Sequence, residues 1–511
     1  MPADNKRIAK NTMVLFFRQI VVMIVGLYTS RVILQSLGVV DYGIYGIVGG
    51  VVGFMGFLNA TLSTSSSRFI TYALGEGNID KSKRTFSTTL TVHVILGLFI
   101  LVVGEIVGIY MIYNQLNIPM NRLTAAVIAF QFSIFTTAIG ISQVPYSACM
   151  VSHEDFSLVA YMAIWDVVAR LLIAFGLMAY GGDKLMLFAG LLFANSVGVM
   201  LFYRFYCAYK YSEAIFNLHI DKEIFRKIAT FSGWNLIYQF VYTLNAEGTT
   251  VLIGMFFNPA IVAAKTISVK VNSMTTQFIG QFRAASAPQI VKTYAQHDIE
   301  AFKKLLMASG KYSFFIMWIM TLPICVLCSP LLKLWLGTVP EYAVIFVQLI
   351  MIDSLFWLFD VSFNQGIVAT GNMKMNTIYS SIANLLRFPI VYLFFKLGFS
   401  PVSSFIISIC FGALIGCIIK PLVLIRLVGE FKLRDFLNTY LNCWLVAGLS
   451  SIIPYLLTFF VDKNTFVGFF VIGFFSVLSA MIVIYLLGID KPMRAKANSF
   501  MIDKIKLICR K

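Results

Sequence analysis

The chain has 511 residues, 59% of them hydrophobic and 12% charged, and a mean hydropathy of +0.84. A soluble globule of this length needs a polar surface that this composition cannot supply, so an all-α integral membrane protein is expected. The net charge of +17 does not point to nucleic acid, because the basic residues fall between apolar segments and at the ends rather than on one basic domain.

The first apolar stretch follows the basic start "MPADNKRIAK" and exceeds a cleavable signal core, with no small-residue cleavage site after it, so it is expected to remain as span 1. A span needs about 20 mostly apolar residues. In chain order the expected spans lie near 13–34, 42–66, 86–113, 123–148, 156–180, 185–209, 230–253, 260–284, 312–334, 342–368, 377–398, 402–426, 436–461 and 466–488, fourteen in all. With the N-terminus inside, 27 basic residues fall on the cytoplasmic side against six near the outer ends. That bias places both termini in the cytoplasm.

The stretch "RFITYALGEGNIDKSKR" after span 2 resembles "PQIVKTYAQHDIEAFKK" after span 8, at an offset of about 220 residues, and the polar openings of spans 1 and 7 repeat at the same offset. Two pseudo-symmetric six-helix lobes follow, 1–215 and 216–430, then spans 13 and 14 over 431–488 and a basic cytoplasmic tail over 489–511. Parallel repeats of this kind face one another across a site near the bilayer midplane.

Span 1 carries Arg18 deep in its apolar run and Arg31 near its outer end, and Arg68 closes the hydroxyl run "TLSTSSSR" of span 2. The glycines Gly46, Gly49, Gly50 and Gly53 of span 2 serve either close helix packing or bending during transport. In span 5, Asp166 and Arg170 stand at i and i+4, the spacing of a local ion pair. Span 7 aligns Asn235, Tyr238, Tyr242, Asn245 and Thr249 in one stripe.

Span 8, "AIVAAKTISVKVNSMTTQFIGQFRA", holds Lys265 and Lys270 with Asn272 and Gln277, while Ile267, Val271, Met274, Phe278 and Phe282 form an apolar sector suited to lipid. A central Lys in hydrocarbon costs about 2.5–3.5 kcal/mol on the mildest scale, so this helix is expected to border water or a ligand. Glu247 and Lys265 sit at similar depth on either side of the short turn "FFNPA", either as a structural ion pair or as separate binding groups. Asp353, Asp360 and Asn364 share a face of span 10 and join Glu247 as candidates for coupling a cation, H⁺ or Na⁺. No metal site or other cofactor is expected: the eight cysteines read as small core residues, and the close pair Cys325 and Cys328 lacks further ligands.

The segments "LGVVDYGIYGIV", "RFITYALGEGNIDKSKRTFSTT", "QVPYSACMVSHEDFSLVAYMAIWDVVARL" and "RAASAPQIVKTYAQHD" resemble bacterial polysaccharide flippases of the Wzx type, within the multidrug/oligosaccharidyl-lipid/polysaccharide exporter superfamily. The resemblance runs through all fourteen spans, and its motifs are loose and mostly structural. It implies alternating access around a cationic lumen, with an undecaprenyl-pyrophosphate-linked O-antigen or capsule repeat unit moving from the cytoplasmic to the periplasmic leaflet of the inner membrane. By that resemblance Arg18, Arg31, Arg68, Lys265 and Lys270 occupy helices that carry functional arginines in related lipid II flippases. Lysine on span 8 departs from the arginine expected there and holds phosphate as a point charge without a bidentate fork.

In this reading Asn235, Tyr238, Tyr242, Asn245, Asn272 and Gln277 contact sugar, the partners are the lipid-linked oligosaccharide, membrane lipid and other polysaccharide-assembly proteins, and the chain is a monomer. The alternative is a cation-coupled drug or metabolite antiporter of the same superfamily, for which a predominantly acidic lumen is expected. An enzyme is not expected, since the chain has no P-loop, no HExxH spacing and no large extramembrane loop.

Overall fold

In the computed structural model the described residues are 5–372, 374–490 and 494, with side chains described except at a few helical positions that include 5–17, Asn235 and Tyr238. Several helices begin where the sequence supplies a capping acceptor. The chain opens with α1 (Asn5–Phe54) and α2 (Phe57–Gly75); α3 (Ile79–Asn114) is capped by Asn78. After α4 (Leu123–Ser152) and α5 (Phe156–Met178), Asp183 caps α6 (Lys184–Lys210) and Asp221 caps α7 (Lys222–Thr243). A π-helical turn, Leu244–Gly248, leads into α8 (Thr249–Phe256), and Pro259 opens α9 (Pro259–Ala295).

Then come α10 (Ile299–Val326), α11 (Cys328–Leu336), α12 (Ala343–Thr370), α13 (Lys374–Lys396) and α14 (Val402–Ala413). A second π turn, Leu414–Ile419, joins α14 to α15 (Lys420–Val428), and after α16 (Leu433–Phe460) comes α17 (Phe466–Val483), which runs into a third π turn, Ile484–Gly488.

Eleven helical segments among the described residues are long and apolar enough to cross a membrane. The difference from fourteen expected spans has two local causes. Span 1 and the start of span 2 are one helix with a break at Gly38, whose φ of 77° a residue with a side chain rarely adopts. Spans 7 and 8, which correspond to α7–α8 and α9, carry too many polar residues to count among these apolar segments.

Two compact units divide the chain. The first comprises 1–266, 335–341 and 384–401, the second 267–334, 342–383 and 402–511, so the chain passes from one to the other inside α9. In the first, α1 packs on α4 and α5, α4 on α3 and α6, and α2 on α7. Its core gathers Phe86, Leu90, Tyr146, Cys149, Met150, Tyr203 and Cys207. The N-terminal turns of α3 bury Ser82, Thr85, Thr88, Thr89, Thr91 and His93. Most of these side chains return to carbonyls one turn back, while Thr88 Oγ1 accepts from Asp221 N and Thr91 donates to His219 O, fixing the connection between α6 and α7. In the second unit Phe314, Phe359, Phe363, Phe436 and Tyr440 form a contiguous aromatic core.

Close helix approach explains Gly46, Gly50 and Gly53 of span 2, whereas a Cβ on Gly49 would meet open space. A Cβ on Gly43 would lie 1.9 Å from the Pro259 carbonyl oxygen, and one on Gly46 would lie 2.7 Å from Thr266 Oγ1. Together with Gly50 against Thr250, they form the seam on which α1 meets the α8–α9 hairpin.

Candidate functional site

A cavity of about 520 Å³ opens within the first unit, walled by α1, α4, α5 and α6. Its polar lining includes Arg18, Tyr45, Gln143, Asp166, Arg170 and Asn195. Asp166 accepts from Arg170 Nε at 2.9 Å and from Asn195 Nδ2 at 3.0 Å, so the i, i+4 pair expected in span 5 forms, and it forms on the cavity wall. Arg18 makes no ion pair with any described residue. Two guanidinium groups therefore face one carboxylate across this space, and the electrostatic balance favours an anionic occupant.

A second polar cluster lies where the π turn interrupts α7 and α8. Such turns change the register of a helix and recur at functional sites. Asn245, buried, donates to the carbonyls of Val241 at 2.9 Å and Asn384 at 2.8 Å. Lys265 is 6% exposed and donates to the Ala246 carbonyl at 3.3 Å, next to Glu247. Glu247 attracts Lys265, whereas Arg387 of α13 repels it. Tyr242 senses both Glu247 and Arg387 and leaves its ring exposed. The close approach of α1 also reaches this point, because a Cβ on Gly53 would lie 3.3 Å from Glu247 Cδ.

The other sequence candidates are dispersed. Arg31 is half-buried in α1, Arg68 exposed on α2, Lys270 half-buried in α9 and Gln277 exposed, and none of them, nor Lys265, lines the cavity. Asn272 accepts from Ser354 Oγ at 2.5 Å, and Asp353 accepts from Ser408 Oγ at 2.7 Å. Asp360 pairs with Lys420 at 3.1 Å. The side chains of Asn235 and Tyr238 lie outside the described residues. The apolar sector of α9 expected to face lipid divides: Phe278 and Phe282 are exposed, but Ile267 and Val271 are buried, because protein surrounds the helix along the turns that also bury Ala263, Ala264 and Ser268.

Sequence reasoning passed over Asn195, Arg387 and Lys420. The last two were visible as lone basic residues inside apolar runs, "NLLRFPIVY" and "GCIIKPLVL", the same signal that singled out Arg18.

No family model matches the chain, and no curated protein matches it. Solved structures do. The lipid II flippase MurJ in its inward closed conformation aligns with a TM-score of 0.70 at 13% identity, covering 94% of this chain and 98% of that one. A multidrug resistance MATE family transporter of the MOP superfamily, inward-facing, aligns at 0.66 and 15% identity over 80% of this chain and 96% of that one. An outward-facing structure of such a transporter aligns at 0.57 and 13% identity over 82% and 96%. The chain has the all-helical fold that these transporters share.

Proposed function

We propose that this protein is a flippase that carries undecaprenyl-pyrophosphate-linked oligosaccharide repeat units, of an O-antigen, capsule or related glycan, from the cytoplasmic to the periplasmic leaflet by alternating access. The observation that carries the reading is Arg18 on the wall of a cavity whose guanidinium groups outnumber its carboxylates. A guanidinium there stabilises a pyrophosphate through charge-assisted hydrogen bonds, while the polyprenyl tail stays in lipid. Likeness to a lipid II flippase over 94% of the chain supports the same class. The membrane potential, worth roughly 2.3 kcal/mol per charge per 100 mV, favours outward movement of a dianion by about twice that amount.

Resetting the empty carrier falls in this reading to H⁺ or Na⁺ at Glu247, Asp353 or Asp360. Lysines stand beside two of these carboxylates, Lys265 by Glu247 and Lys420 by Asp360, so loading a cation there requires the lysine to give up its proton or move away.

The second reading, a cation-coupled drug or metabolite antiporter, draws on the likeness to MATE transporters. An organic cation would meet two guanidinium groups in the cavity, which disfavours it. The experiment is deletion in the host followed by complementation. The wild-type gene should clear a lipid-linked repeat unit accumulated on the cytoplasmic leaflet, and Arg18→Glu, inserted at normal level, should leave it there. Normal glycan export by Arg18→Glu would remove the cavity from the mechanism, and absence of any accumulated lipid-linked glycan in the deletion strain would remove the flippase reading.

A further inference from the structure

Away from the cavity, three side chains with metal-binding chemistry converge where α4 ends. Cys149 and His153 stand at i and i+4, one above the other on the same helix face. Glu213 arrives from the segment between α6 and α7, which the hydrogen bonds of Thr88 and Thr91 hold in place farther on. One oxygen, Glu213 Oε1, accepts from His153 Nε2 at 2.5 Å and from the Cys149 thiol at 3.5 Å. The three ligand atoms all lie within 4.8 Å of one another, and among the described residues no other group of three does so.

Burial is graded across the trio. Cys149 is fully buried and Glu213 is 5% exposed, whereas the His153 side chain reaches solvent. The ring of Tyr211 stacks on the imidazole at 4.2 Å and 10°, which fixes the plane of His153 and keeps Nε2 aimed at Glu213. An ion pair accounts for His153 and Glu213 alone. It gives no reason for a buried thiol to point at the same carboxylate oxygen.

We propose that Cys149, His153 and Glu213 form a binding site for Zn²⁺, separate from the transport cavity. Zinc takes thiolate, imidazole and carboxylate together, with bonds of about 2.3, 2.0–2.1 and 2.0–2.2 Å, and three protein ligands leave a fourth position for water. Tetrahedral angles at those bond lengths set the ligand atoms roughly 3.3–3.6 Å apart. The sulfur-to-oxygen separation already has that value, and the imidazole needs to withdraw from Glu213 by roughly 1 Å, the change expected when a metal replaces the hydrogen between them. On binding, the Cys149 thiol releases its proton to solvent, and the hydrogen on His153 Nε2 passes to Nδ1 or to solvent, which frees the Nε2 lone pair for the metal. Affinity therefore rises with pH.

The site would tie two connections together. The α4–α5 turn carries Glu154 at a φ of 59° and Asp155, which accepts from Lys210 at 2.6 Å, Tyr206 at 2.9 Å and Tyr211 at 3.0 Å. Zinc adds a bond from that turn to the start of the α6–α7 connection, on the face that the charge bias assigns to the cytoplasm.

The test uses the full-length protein in detergent, purified without a polyhistidine tag, and Co²⁺ as a spectroscopic stand-in for zinc. One equivalent of Co²⁺ should produce a thiolate-to-cobalt charge-transfer band that Zn²⁺ abolishes by displacement. Cys149→Ser should lose the band, and His153→Ala and Glu213→Gln should each weaken binding by at least about tenfold. The double variant Cys325→Ser/Cys328→Ser should keep both band and affinity. Absence of the band in the wild type, its persistence in Cys149→Ser, or unchanged affinity in His153→Ala would overturn the proposal. His153 is the exposed member of the trio, so its variant remains informative even if Cys149→Ser fails to fold.

Discussion

Lys420 Nζ stands 3.1 Å from Asp360 Oδ1, with Lys420 4% exposed at the first turn of α15. Asn364, one turn beyond Asp360 on α12, accepts from the same ammonium at 3.1 Å and from Asn376 Nδ2 at 2.9 Å. The π turn before Lys420 brings the backbone close to α12, where a Cβ on Gly416 would lie 2.8 Å from the Phe356 carbonyl oxygen. Lys420 is thus a cation built into the second unit and neutralises a carboxylate that the sequence offered for ion coupling.

Removing the ammonium alone leaves Asp360 charged without its counter-ion. Lys420→Met should destabilise the protein by roughly 2–4 kcal/mol, somewhat below the range for fully buried pairs because Asp360 retains some exposure. Lys420→Met with Asp360→Asn should recover most of that loss. Thermal unfolding of the purified variants checks both, and an unshifted midpoint for the single change would show that the pair carries no structural weight.

Glu247 and Lys265 pose the corresponding question in the first unit. Glu247→Gln and Lys265→Met separately leave one charge in a low-dielectric setting with Arg387 nearby, and each should lower both stability and export. If the pair is structural, the double variant regains both, with a coupling energy of about 0.5–3 kcal/mol in a double-mutant cycle. Recovery of stability without export would instead assign at least one of the two charges to transport.

Arg122 joins three elements through one guanidinium. It donates to Asp41 of α1 at 2.8 and 2.6 Å and to Asp183, the cap of α6, at 2.6 and 3.1 Å. Arg122→Lys keeps the charge but cannot fork toward both carboxylates. It should cost roughly 1–3 kcal/mol, as expected for charged hydrogen bonds at a partly exposed site, and Arg122→Ala should cost more. Equal melting temperatures for wild type and Arg122→Lys would mean that geometry matters less than charge.

Asp155 gives a pH dependence of definite sign. Burial opposes its ionisation, but Lys210 and the Tyr206 and Tyr211 hydroxyls outweigh that effect and hold its carboxyl below the ordinary value. A lowered folded-state value means that ionised Asp155 stabilises the fold above the unfolded value of about 3.9 and that this contribution fades as pH falls through the folded value. Asp155→Asn should therefore melt below wild type at pH 7, and the gap should narrow in acid below about pH 4. A gap that stays constant across that range would point to a packing effect instead of charge.

Much of the fold was legible because hydrocarbon imposes strict terms on a chain. Long apolar runs and the lone charges inside them fix which segments are helical and which helices carry buried charge. Glu247 and Lys265 were legible as neighbours for a local reason: each lies within three turns of the same short hairpin. Asp166 and Arg170 were legible because four residues make one helical turn. The boundary between spans 1 and 2 was legible too: Gly38 falls between the expected ends at 34 and 42, and it lacks the side chain that would resist the positive φ at which the helix breaks.

The sequence by itself therefore determined helix identity, the helices that carry buried charge and the pairs joined by one turn or one hairpin, because these follow from short-range geometry and the cost of charge in lipid. The tertiary structure alone decided that Arg18 shares a cavity wall with Asp166, that Lys420 meets Asp360 across 60 residues, that Arg122 gathers Asp41 and Asp183, and that Glu213 reaches Cys149 and His153. Helices of similar apolar character can pack in many arrangements, and only the meeting of particular surfaces, glycine seams among them, selects which distant charges become neighbours.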